Sequence, residues 1–442
     1  MAETRLDIVL LAFFLVGGIV FFTKPWFSMI FLLIFVFLAP RAGFLVSMNW
    51  KYPLPLGYMF VLFLMARWSL SLLFVKRRRS AGSPIGGVFP FYIIASVLAI
   101  AIGVINGGDL NTMALETFIY FLAFFIFFMV LDLFDNERCV KVFITGSLIC
   151  GALISLYGIL LLVFGQSILV EYVTYNSSSY KALLGQFIAN RRTISSYGDP
   201  NTLGAQLMVF ASIFASLLLM GKYRPASRIL IFIGLVLTVL CIYFASSRAS
   251  LLGLFVLSVI LAMTRVKKLW FYVPIFAVSY FIFLEPIRKY YEHRIYTTGI
   301  TSDMRITYLK LFLDLFVRYP FGVGFGCNID PEWRIIPANN IWVGFNSFYI
   351  HLLSRVGIQG LAIFCFMLFL IIKYLFTGLR YIEDNNTRYY VFGAACGIIV
   401  QQFNFLANNV YHVPGGMLNF WIMCGMLTVM VNRCRYKEER IS

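Results

Sequence analysis

Eight arginines, Arg191, Arg192, Arg248, Arg288, Arg294, Arg305, Arg318 and Arg334, stand in hydrophilic segments that separate long apolar runs. A guanidinium stays charged at any physiological pH, and its planar fork of donors matches the oxygens of phosphate or pyrophosphate. It is also more weakly hydrated than an ammonium, so it tolerates a place beside lipid. The chemistry on offer is the binding of an anion at a membrane edge. For any one of these arginines, snorkelling to lipid headgroups or pairing with Glu285, Glu292, Asp303, Asp314 or Glu332 explains the charge equally well. Arg248 is the strongest single candidate, because Ala245-Ser-Ser-Arg-Ala-Ser250 is a very short turn between two apolar runs and holds its charge close to the bilayer edge.

The stretch Arg191-Arg-Thr-Ile-Ser-Ser-Tyr-Gly-Asp-Pro-Asn201 joins an arginine pair to turn formers, and both Asp199 and Asn201 read as caps of the helix that follows. Pro320-Phe-Gly-Val-Gly-Phe-Gly326 looks like a phosphate-cradling glycine run, but no strand precedes it and no Gly-Lys-Ser/Thr follows. It reads as a tight turn needing positive φ. Asn346-Ser347 and, after nine intervening residues, Gly357-Ile-Gln-Gly360 mark the start of another apolar run, with glycines that permit close helix packing. His293, His351 and His412 have no metal-ligand spacing, and neither HExxH nor G-x-S-x-G occurs. A zinc hydrolase, a serine hydrolase and a nucleotide site are thereby disfavoured, and no metal or cofactor is expected. The eight cysteines fall mostly inside apolar runs and read as small core residues.

Long helices in a bilayer must position these groups. Of the 442 residues 61% are hydrophobic and only 12% charged, and mean hydropathy is +0.86; a soluble chain carries about 25% charged residues. Since about 20 apolar residues cross the hydrocarbon core as helix, apolar runs near 7–23, 25–40, 55–75, 88–105, 114–133, 140–164, 202–220, 227–245, 249–264, 269–285, 347–374, 389–408 and 415–432 predict an all-α integral membrane protein with 12 or 13 spans. The whole chain, 1–442, reads as one polytopic domain. The first run lacks a small-residue cleavage site and reads as a retained helix.

The net charge of +17 resides largely in short breaks such as Lys76–Arg79, Lys222–Arg228, Arg265–Lys268 and Lys373–Arg388, and in the tail Arg433–Arg440. The positive-inside rule puts these in the cytoplasm and makes nucleic acid a poor partner. Alternation then sends 165–201, 246–248, 286–346 and 409–414 to the opposite face. The longest, 286–346, contains a helical pattern over Met304–Tyr319 with apolar Ile306, Leu309, Leu313 and Phe316, which predicts an amphipathic helix near the outer surface.

In order and spacing, Arg192 to Asn201, Ser247-Arg248-Ala249-Ser250, Asp303-Met-Arg305 to Gly326, and Asn346-Ser347 to Gly360 resemble the O-antigen ligase and polymerase superfamily over roughly 190–360. The resemblance implies a GT-C type membrane fold in the bacterial inner membrane, with the active site facing the periplasm. It implies inverting, metal-independent transfer of a glycan from an undecaprenyl-pyrophosphate-linked oligosaccharide donor to an acceptor sugar hydroxyl, with a chain-length regulator protein as a further candidate partner. Arg192, with Arg191 beside it, Arg248 and Arg305 would bind the donor pyrophosphate, and Arg248, Arg305 and Asn346 would act in catalysis. Acceptor orientation would fall to Asn346, Ser347 or His412. Family ligases carry histidine where this chain has Asn346, and asparagine is no general base near neutral pH. That substitution favours a polysaccharide polymerase over a ligase that hands finished glycan to lipid A core or protein. A transporter of lipid-linked sugars would carry charges inside several spans, whereas most spans here are uncharged at their centres, with Arg67 and Arg355 nearer the ends of theirs.

Overall fold

The computed structural model describes residues 24–38, 56–74, 82–164, 192–264, 304–329, 334–338, 347–408 and 416–439. Among them are α1 (Pro25–Leu32, continued by a π-helical stretch Leu33–Leu38), α2 (Leu56–Phe74), α3 (Phe89–Ile105), α4 (Leu110–Leu133), α5 (Glu137–Phe164), α6 (Pro200–Met220), α7 (Pro225–Ala245), α8 (Arg248–Thr264), α9 (Met304–Arg318), α10 (Phe348–Gly378), α11 (Asn385–Ala407) and α12 (Gly416–Glu439). Seven of these, α4 to α7 and α10 to α12, are long and apolar enough to cross a membrane, and Pro25–Leu38, Phe60–Ser71, Phe89–Ile105 and Arg248–Met263 are shorter apolar helices. The chain is a mostly helical, multi-pass membrane protein. The runs expected at 7–23 and 269–285 lie outside the described residues.

Helix starts follow local chemistry. The Asp109, Asp199 and Asp384 carboxylates accept from the backbone N–H groups of Thr112, Thr202 and Thr387 at 2.7, 2.6 and 2.8 Å, each satisfying a donor that the first helical turn leaves open. Proline occupies the first turn of α6 and α7, where its missing N–H costs nothing. Asp199 is thus the cap the sequence predicts. Asn201 is not: it is already inside α6, and its side chain serves an arginine instead.

The most enclosed helices are α4, α6, α11 and α12. The closest packing is between α6 and α11, where small residues let the backbones approach. A Cβ on Gly393 would stand 2.7 Å from Ser216 Cβ, and one on Gly397 would stand 2.7 Å from Val209 Cα. Across this seam Ser212 Oγ donates to the Gly393 carbonyl at 2.6 Å and Ser216 Oγ to the Tyr389 carbonyl at 2.7 Å. Basic connections gather at one end, where Lys222 meets Asn386 at 3.2 Å, Arg433 pairs with Asp135 at 3.2 Å and Lys437 with Glu383 at 3.8 Å. α7 runs from that end to the Ser-Arg turn at the other.

The long connection between α8 and α10 differs from expectation in two ways. It contains a small antiparallel hairpin, β1 (Cys327–Ile329) paired with β2 (Ile335–Pro337), in register Cys327 opposite Pro337. The amphipathic helix is there as α9, but its packed face is Leu315 with Phe312 and Tyr319, seated on Ile350 and Leu353 of α10. Leu313 and Phe316, expected on the apolar stripe, are on the exposed side with Val317.

Candidate active site

The Ser-Arg turn is built by a left-handed residue. α7 ends at Ala245, Ser246 takes φ 51°, and α8 starts at once with Arg248. Ser195, at φ 44°, is the other non-glycine residue of positive φ among those described, and each such conformation costs about 1–2 kcal/mol. The two strained serines lie on strands of chain that touch. Thr193 N donates to the Phe244 carbonyl at 3.1 Å, and Arg192 Nε donates to the Ala245 carbonyl at 3.1 Å while its Nη2 reaches Asn201 Oδ1 at 3.4 Å. Strain of this kind is kept only where surrounding contacts over-determine it. Here Thr193 Oγ1 donates to the Gly158 carbonyl at 2.6 Å, Ser195 Oγ to the Ile154 carbonyl at 2.7 Å, and Tyr197 OH to the Phe37 carbonyl at 3.0 Å. Arg192 is therefore brought onto the turn that carries Arg248.

Three helices, α6, α8 and α10, begin around this turn. A Cβ on Gly204, in the first turns of α6, would stand 2.1 Å from Ser250 Oγ and 3.3 Å from Ser247 Cβ at the head of α8. Gln206 Nε2 donates to the Gly416 carbonyl of α12 at 3.1 Å. Ser250 Oγ donates to Asn404 Oδ1 near the end of α11 at 3.1 Å. One turn further, Phe348 N at the head of α10 donates to the Asn408 carbonyl at 3.3 Å, and Ser347 Oγ to the Phe405 carbonyl at 3.5 Å. A helix start carries a partial positive charge near half a unit, which at α6 the Asp199 carboxylate offsets. The starts of α8 and α10 lie at the same end of the bundle as Arg192 and Arg248, a disposition that suits an anion.

Beneath it lie polar atoms without a partner. Ser247 Oγ, both amide atoms of Gln401 and Asn404 Nδ2 are enclosed and make no hydrogen bond. An unmade bond of this kind costs about 1–3 kcal/mol, so the arrangement suits water or a polar ligand at this floor.

Of the other expected site residues, Ser347 is buried beside α11. Arg305 lies near the start of α9. Arg191, Asn346 and His412, with Arg288, Arg294 and His293, lie outside the described residues. Arg318 and Arg334 are exposed. The glycine run is the tight turn expected: Gly322, Gly324 and Gly326 have φ of 80°, 88° and 74°. Gly357 (φ 76°) breaks α10, and a Cβ there would stand 2.3 Å from the Phe321 carbonyl carbon, so it accommodates this turn and not a neighbouring helix. Burial raises the Cys327 thiol above its ordinary range, against a smaller opposing pull from Arg355, so it is no nucleophile at neutral pH. Among the described residues no cluster of three or more His, Cys, Asp or Glu could hold a metal.

Residues 233–365 match the family model described as O-Antigen ligase. Over this stretch the chain is similar to the O-antigen ligases. The O-antigen ligase match runs from within α7 to within α10, so it takes in Arg248, Arg305, the glycine turn and Ser347, while Arg192 lies ahead of it. No curated protein matches the chain.

Proposed function

We propose that this protein is a membrane glycosyltransferase that moves a glycan from undecaprenyl pyrophosphate to an acceptor sugar hydroxyl at the periplasmic face of the inner membrane. The observation that carries the reading is the seating of Arg192 on the turn of Arg248, where three helices begin. Arginines and helix starts together suit a diphosphate, whose charge grows as it departs.

In the reaction the acceptor oxygen attacks the anomeric carbon opposite the diphosphate. The bond from that carbon to the phosphate oxygen breaks, and its electron pair leaves on the diphosphate. Inversion follows from attack on the opposite side, and the hydroxyl proton passes to water or to the released diphosphate. Asn346 orients the hydroxyl and cannot take its proton, so stabilising the leaving group carries more of the barrier than activating the acceptor. That balance favours polymerisation of lipid-linked repeat units over ligation.

Lipid-linked repeat units extracted from a strain lacking the protein, added to proteoliposomes, test the proposal. Lengthening of the glycan supports it; passage of lipid-linked sugar across the bilayer with no new glycosidic bond overturns it.

A further inference from the structure

Glu116 in α4 and Arg355 in α10 are almost wholly enclosed, with side chains 0% and 2% exposed, and they form an ion pair at 3.1 Å. Each lies about 10 Å along its helix from the end where the long connection packs, at roughly 1.5 Å per residue. Three further hydrogen bonds of the pair reach the long connection. Arg355 Nη1 donates to the Cys327 carbonyl and Nη2 to Asn328 Oδ1 at 2.8 Å. Glu116 Oε2 accepts from Gly326 N at 2.9 Å. Three consecutive residues of the connection are thus held by one buried ion pair.

The chain leading to them is held too. Ile358 N donates to the Pro320 carbonyl at 2.8 Å, Val323 N to the Ser354 carbonyl at 2.7 Å and Phe325 N to the Ala99 carbonyl at 3.2 Å. Asn106 Nδ2 donates to the Val323 carbonyl at 3.0 Å. Positive φ at three glycines lets the return fold between α3, α4 and α10.

We propose that the Glu116–Arg355 pair is a positioning clamp that fixes the 320–328 return and so sets where α9, and with it Arg305, stands relative to Arg192 and Arg248. The proposal rests on the glycosyltransferase reading for its catalytic consequence, and on geometry alone for the clamp.

Two arguments separate a clamp from a merely stabilising contact. A buried ion pair is matched or exceeded in stability by a well-packed apolar pair, because desolvation consumes the Coulomb gain. What the apolar pair lacks is direction: one planar guanidinium holds Glu116 of α4 together with two acceptors of the return, the Cys327 carbonyl and Asn328 Oδ1, which neither leucine nor lysine does. Second, there is no slack between clamp and helix. Only Tyr319 separates Arg318, the last residue of α9, from Pro320, and Leu315 is already seated on α10. Arg305 is about 20 Å up the same rigid rod, so an ångström of play at the return is delivered to it, and misplacement on that scale costs about 100-fold in rate.

The test uses the full chain in proteoliposomes with lipid-linked repeat units extracted from the deletion strain. Arg355→Lys keeps the charge opposite Glu116 and loses the fork; Asn328→Ala removes a single contact outside the spanning helices. We expect rate losses of at least about 10-fold for the first and about threefold for the second, with donor KM little changed. In an Arg305→Lys background Asn328→Ala should add no further loss, since both act through one group. Wild-type rates in correctly inserted, monodisperse variants would overturn the clamp, as would losses that multiply with Arg305→Lys.

Should the wild type form no glycosidic bond, the glycosyltransferase reading fails and the clamp is read from distances. Spin labels at Lys310→Cys in α9 and Leu406→Cys in α11, with Cys365→Ser and Cys434→Ser, should give one narrow distribution that broadens or shifts with Arg355→Lys. An unchanged distribution overturns the clamp whatever the protein's activity.

Discussion

At the scale of single residues, Arg248 and Gln401 are expected to respond in opposite ways. Arg248 is exposed at the head of α8, so its removal should leave insertion and melting temperature intact. Loss of one donor to a developing negative charge costs about 100- to 1,000-fold in rate, and Arg248→Ala should show that in the proteoliposome assay. Arg248→Lys, retaining charge without the fork, should fall between. Gln401 is enclosed with both amide atoms unpartnered. If nothing polar is ever bound there, Gln401→Leu removes a cost of about 1–3 kcal/mol and changes nothing else. The site reading requires more: a variant that melts higher in detergent yet transfers glycan at least about 10-fold more slowly, the trade expected where a site is built at the expense of stability. Equal activity with higher stability would assign Gln401 to packing.

Arg192 and Arg248 were legible because turn-forming residues and a charge between apolar runs are local signals. Gln401, Asn404 and Glu116 were not. Each is a polar residue inside or beside an apolar run; Asn404 and Glu116 take their meaning from Ser250 and Arg355, more than 150 residues away in sequence, and Gln401 from an enclosure that no local pattern records. Asn201 was misread for a local reason: its neighbour Asp199 already caps α6, so Asn201 lies inside the helix and accepts from Arg192, nine residues back.

At the scale of elements, the two positive-φ glycines Gly107 and Gly324 make a controlled comparison. A Cβ on Gly107 (φ 70°) meets nothing within 4 Å, whereas one on Gly324 (φ 88°) would stand 2.1 Å from Gly103 N and 2.4 Å from Gly103 Cα. Both substitutions with alanine carry the left-handed cost of about 1–2 kcal/mol, but only the second forces backbone apart. Gly107→Ala should lower the melting temperature in detergent slightly. Gly324→Ala should lose more than about 4 kcal/mol, the range of changes that break a native arrangement. Equal losses would mean that the return is not packed on α3. Long helices were readable because an apolar run of membrane length has few alternatives. The three-residue strands were not, since their pairing depends on the clamp and on Ala338 N bonding to the Gly326 carbonyl at 2.8 Å. The apolar pattern on α9 did not say which residues meet protein: Leu315 and Phe312 pack on α10, while Leu313, Phe316 and Val317 stay exposed beside Lys310, Asp314 and Arg318.

For the whole molecule, the ends of the bundle differ in charge and in what they gather. Lys222, Lys437 and Arg433 lie at one end, and the Ser-Arg turn with three helix starts lies at the other. The positive-inside rule puts the first end in the cytoplasm, so a membrane-impermeant maleimide on spheroplasts should label Lys310→Cys and spare Lys222→Cys until the membrane is opened. The reverse pattern would turn the site toward the cytoplasm and remove the periplasmic reading. Given that orientation, the chain with Asn346 in place of histidine makes a further demand on the cell. An enzyme that depends on a departing diphosphate and not on a base suits an acceptor held close by its own lipid anchor, since proximity replaces part of the missing activation. A strain lacking the protein should then display surface glycan only one repeat long. Glycan of normal length left on undecaprenyl pyrophosphate would mean that chains are built without this protein and that its acceptor is the lipid A core or a protein, in which case the same arginines serve ligation and Asn346 has lost no function that ligation needs.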